Sequence, residues 1–75
     1  MRSIYIQYGD REHRGQTYRG RDAASIARRI YGRRAIIFPS RDPNAPHDGT
    51  IGYPTRDGGL SVLAVYRYDD EESTL

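Results

Sequence analysis

Hydrophobic and polar positions along this chain follow two different periods. Residues 3 to 8, SIYIQY, alternate, with Ile4, Ile6 and Tyr8 on one face and Ser3, Tyr5 and Gln7 on the other, which predicts a strand. Residues 8 to 21, YGDREHRGQTYRGR, contain no aliphatic side chain; Gly9, Asp10 and Gly15 punctuate them, and QTYR at the far end reads as a short second strand returning on the first. The period then changes. Ala23, Ile26, Ala27 and Ile30 in AASIARRIY have the i, i+3, i+4, i+7 spacing of one apolar helical stripe, with Asp22 as its N-cap and Gly32 as its stop. AIIFP, 35 to 39, is a short apolar run ended by proline and predicts a third strand covered on both faces. PSRDPNAPHDG, 39 to 49, has the prolines, aspartates and glycine of an extended loop. TIGYP and LSVLAVYRY flank TRDGG, so residues 50 to 68 read as a hairpin turning at Asp57, Gly58 and Gly59. Alternation places Leu60, Val62, Ala64, Tyr66 and Tyr68 on one face of its second strand.

The predicted order is β-β-α-β-β-β, an α+β fold with one amphipathic helix packed on a small, mainly antiparallel sheet. Residues 1 to 68 form a single domain, and the acidic residues 69 to 75 read as a disordered tail. A chain of 75 residues buries a thin core, so a deep enclosed active site is not expected. Without cysteine there is neither a disulfide framework nor a thiolate zinc site, which fits a reducing cytoplasm. No apolar run has the length of a signal segment or a membrane span, so the expectation is a cytoplasmic protein with no membrane partner.

Charge changes the picture more than composition does. All twelve basic residues are arginine; guanidinium suits phosphates and carboxylates, although a GC-rich coding sequence produces the same bias and is the simpler explanation. Residues 1 to 34 hold nine arginines and three acids, whereas residues 35 to 75 hold three arginines and seven acids. Two candidate surfaces follow. Arg11, Arg14, Arg19 and Arg21 in the hairpin, with Arg28, Arg29, Arg33 and Arg34 on and after the helix, can form one basic surface for phosphates, with Tyr18 available for stacking. Seven tyrosines in so short a chain offer contact area for a protein partner, although rings edging a thin sheet explain Tyr5, Tyr66 and Tyr68 as well; Tyr53, beside Pro54, is the interface candidate.

Conventional catalytic signals are weak. His13 beside Glu12 and His47 beside Asp48 lack ligand spacing and read as solvated loop residues. Ser61 in GGLSVL lacks the following glycine of a nucleophile elbow, and Gly9, Gly15 and Gly20 are too widely spaced for a dinucleotide or phosphate loop. The expectation is a non-enzyme without metal or cofactor.

In size and element order, a cysteine-free chain under eighty residues with one helix on a small antiparallel sheet, the sequence resembles phage and mobile-element proteins that include anti-CRISPR inhibitors. No residue motif carries this resemblance. It implies a non-catalytic inhibitor that docks on a protein or nucleoprotein complex such as a CRISPR effector and blocks DNA binding or nuclease recruitment; an exposed sheet edge can pair two copies, so the expectation is a monomer or weak dimer. The alternative is a small nucleic-acid-binding module using the arginine-rich helix and hairpin face.

Overall fold

The computed structural model describes residues 1 to 69. The elements are β1 (Arg2–Tyr8), β2 (Thr17–Gly20), α1 (Ala23–Tyr31), β3 (Ile36–Pro39), β4 (Gly49–Pro54) and β5 (Leu60–Tyr68). All strand pairs are antiparallel, in the order β2-β1-β5-β4-β3. The chain is therefore the expected α+β fold, one helix on an open five-stranded sheet. Its longest-range pairing, β1 with β5, brings the two ends of the described chain together at the sheet's centre.

The helix forms where its caps and stripe direct. Asp22 is extended, and its Oδ1 accepts from the Ser25 backbone N–H at 2.8 Å. At the other end Gly32 has φ 103, a conformation that costs a side chain energy, and its N–H donates to Arg28 O at 2.9 Å. The helix packs against both edge strands, β2 and β3, and against β1, so it runs across one face of the sheet from edge to edge. Between the layers lie Ile4, Ile6, Ala23, Ile26, Ala27, Ala35, Ile51, Ala64 and Tyr66, nine residues of which four are alanine. Close approach is built into this thin core: the Tyr66 ring lies over Gly49, where a Cβ would come within 2.5 Å of the phenolic oxygen.

Two β-bulges change which side chains face the helix. Ile6 pairs with Tyr66 but Tyr8 pairs with Val65, so Gln7 is an extra residue on β1. Ile51 pairs with Ala64 but Gly52 pairs with Val62, so Leu63 is an extra residue on β5. The simple alternation fails at both places. Tyr8 does not share the face of Ile4 and Ile6, being 68% exposed, and Val62, 60% exposed, departs from the buried Ala64 and Tyr66, while Leu63 packs against the core. The third strand is also corrected: β3 is an edge strand with Ile37 toward the core and Phe38 45% exposed, because a single helix covers only one side of the sheet.

The loops follow the expected turn chemistry. Thr55 and Gly59 close the β4–β5 hairpin, with Gly58 at φ 85. The segment between β3 and β4 is tied at its base by Ser40 N donating to Asp48 O at 2.8 Å. Of the acidic run read as a tail, Asp69 extends the sheet by donating its N–H to Ser3 O at 2.8 Å; residues 70 to 75 lie outside the described residues.

Candidate binding surfaces

The hairpin loop between β1 and β2 does not project freely. Asp10 is its anchor, accepting from the Tyr31 hydroxyl at 2.8 Å on Oδ1 and from His13 Nδ1 at 2.6 Å on Oδ2. The His13 ring, its side chain 13% exposed, lies 4.6 Å from the Tyr31 ring and 5.8 Å from that of Tyr18. Histidine therefore pairs with Asp10 and not with the adjacent Glu12, and the cluster clasps the loop onto the C-terminal turn of the helix. Partial desolvation opposes ionisation of Asp10, but the hydrogen bonds from Tyr31 and His13 outweigh it and hold the carboxyl below its ordinary value. Burial, reinforced by the bond to Asp10, pushes the Tyr31 phenol well above the usual tyrosine range.

This clasp ties the loop that carries Arg11 and Arg14 to the helix, whose last turn holds Arg28 and Arg29 and which Arg33 and Arg34 follow in the chain. A second tie, Arg29 Nη2 donating to Arg19 O at 2.6 Å, joins the helix to the β2 edge. Arg11, Arg14, Arg19, Arg21, Arg28, Arg29, Arg33 and Arg34 are all exposed. Arg21 approaches Asp22 at 3.8 Å, and among the described residues no carboxylate pairs with Arg11, Arg14, Arg33 or Arg34. Arg19 does not join the helix side: its cross-strand partner is Ser3, and both point away from the helix.

The aromatic candidates separate differently. Tyr18 is half-buried against the core and His13, where burial raises its phenol pKa. Tyr53 is also half-buried; its hydroxyl donates to Tyr31 O and so satisfies a carbonyl at the helix end. Neither ring is an open platform.

The open rings lie on the sheet face that the helix leaves bare. The pairings define its rows: Phe38, Thr50, Val65 and Tyr8 stand side by side across β3, β4, β5 and β1. On one side of this row are Ile36, Gly52 and Val62; on the other, Arg67, Tyr5 and Thr17, followed by Ser3 and Arg19. Tyr5, Tyr8, Phe38 and Val62 are all exposed. The face thus has an apolar end and an aromatic end with two guanidinium groups. The spacing of Tyr5 and Tyr8, three residues apart within a predicted strand, conceals their common face, since only a bulge between them produces it.

Beside Arg67 the sheet and the β3–β4 loop enclose a hollow of about 420 Å³ lined by Gln7, Ala45, Pro46, His47, Asp48 and Arg67. Asp48 is committed there, its Oδ2 accepting from the Tyr68 N–H at 2.7 Å. Gln7 Oε1 is buried and has no hydrogen-bond partner. Among the described residues no helix is long and apolar enough to cross a membrane, and no cluster of three or more metal-ligating side chains forms.

No protein-family model, no curated protein and no solved structure matches this chain.

Proposed function

We propose that this protein is a non-catalytic docking module that binds a protein surface within a nucleoprotein complex, in the manner of a small inhibitor of a CRISPR effector. The observation that carries this reading is the apolar end of the bare sheet face, the neighbouring Ile36, Phe38, Val62 and Val65. A chain with so thin a core gains little folding stability from apolar groups left in water, and a contiguous apolar and aromatic patch of this kind marks an interaction surface. Aromatic and arginine side chains without lysine match the composition of interface centres. A plaque assay tests it: phage survival restored against at least one CRISPR effector type, and abolished by a folded Val62→Asp variant, supports the reading, whereas no protection against any effector type overturns it.

A second reading, nucleic-acid binding through the helix side, is favoured by the clasp that ties the arginine-bearing loop to the helix. Its mark is an affinity for DNA or RNA that falls steeply with salt.

A further inference from the structure

We propose that the hollow at the β1 bulge is a subsite for an unpaired nucleobase, stacked on the exposed ring of Tyr8 and read along its edge by Gln7 and Arg67. The inference goes beyond docking on protein and does not depend on it: the apolar end of the sheet face serves that contact, and the hollow lies at the aromatic end.

The bulge creates the geometry. With Gln7 inserted between Ile6 and Tyr8, Gln7 and Tyr8 both stand opposite Val65, so an amide and an open ring occur consecutively on one side of the sheet. Gln7 Oε1 is buried without a partner and requires a donor, a demand seldom left unmet in a folded protein. Arg67, exposed on the same hollow, offers only donors. A flat ligand presenting donors and acceptors along one edge satisfies both, and the edge of a nucleobase is such a ligand; Tyr8, which does not line the hollow but follows Gln7 on β1, offers its exposed ring to the π-face of a base that reaches over it. Ala45 and Pro46 supply an apolar wall, and the volume, about 420 Å³, accommodates a base.

Charge favours a nucleotide over a peptide carrying a side-chain amide. Arg67 is followed on this face by Arg19, in the next row, where the adjoining phosphates can run. Asp48, which lines the hollow, accepts from Tyr68 N, and Asp69 accepts from the Thr17 hydroxyl at 3.4 Å; both carboxylates keep their charge, so the phosphates must follow the Arg67 and Arg19 side of the face. Tyr5, directly opposite Arg67, provides a second ring for the next base. Duplex bases are stacked and paired, so the site selects single strands.

Fluorescence anisotropy with labelled seven-nucleotide DNA and RNA strands, against an abasic strand of equal charge, tests this at two salt concentrations. The expected result is binding of base-bearing strands over the abasic strand that persists at the higher salt, weakened about five- to tenfold by Tyr8→Ala and by Gln7→Met. Val62→Asp, at the apolar end, leaves this binding unchanged, which separates the subsite from the docking surface. Equal affinity for the abasic strand means phosphate contact alone and overturns the proposal, as does binding indifferent to both variants. Failure of every strand to bind also overturns it and leaves the hollow to a peptide amide. Circular dichroism checks each variant; if Gln7→Met does not fold, the exposed Tyr8→Ala and Arg67→Ala carry the comparison.

Discussion

Three aspartates show what single residues contribute to this fold. The Asp22 carboxylate accepts from the Ser25 N–H, that of Asp57 from the Thr55 hydroxyl, and that of Asp10 overcomes its partial desolvation through Tyr31 and His13; all three are held below the ordinary value of 3.8. Because their folded values lie below the unfolded ones, the unfolded chain takes up protons first as pH falls. Their stabilisation is present above about pH 4 and is lost as pH falls through the folded values. The melting temperature is therefore expected to be level between about pH 7 and 5 with respect to these groups and to fall in more acid solution. The double variant Asp10→Asn, Asp22→Asn should show a shallower acid limb in the same thermal melts. Asp22 was legible in sequence because a cap acts on the three residues that follow it. The partner of His13 was not: Glu12 is its chain neighbour, but the loop must fold before Asp10 and Tyr31 reach it.

At the scale of elements, helix and sheet are held by close approaches as much as by apolar volume. Tyr66 over Gly49 is the tightest, and Gly49→Ala should destabilise by about 1–3 kcal/mol in urea unfolding, because the ring has no space into which to move. Tyr53→Phe removes the donor to the Tyr31 carbonyl and should cost about 0.5–1.5 kcal/mol in the same experiment. The clasp is a separate unit. Tyr31→Phe deletes its bond to Asp10 and should raise amide hydrogen exchange in residues 10 to 16 while β4 and β5 remain protected. The helix and the two central hairpin strands were readable because each has a sustained period and local turn signals. Faces were misassigned where an extra residue intervened: Tyr8 and Val62 moved to the open side because Gln7 and Leu63 bulge, and a bulge is defined by the partner strand.

For the whole molecule, the consequence of one helix on a five-stranded sheet is two chemically different sides. The helix with Arg28 and Arg29, and the loop tied to it, lie on one, and rings, aliphatic groups, Arg19 and Arg67 occupy the other. Substitutions on the bare face should therefore leave stability within about 0.5 kcal/mol while altering binding, with Val62→Asp as the sharpest case by thermal melting and partner assays. Any nucleic-acid contact of the helix side should lose roughly one unit of salt slope for each of Arg28, Arg33 and Arg34 changed to alanine, measured by anisotropy; Arg29 is better retained because it ties the β2 edge. The sequence by itself determined the element order, the caps, the hairpin turn and the basic character of the N-terminal half, all of which depend on neighbours a few residues apart. Only the tertiary structure decided that β1 lies beside β5, that β3 is an edge, that Tyr18 and Tyr53 serve the core, and that Tyr5 and Tyr8 share an open face. Those outcomes depend on strand pairing between distant segments and on where its register shifts, which no local period encodes.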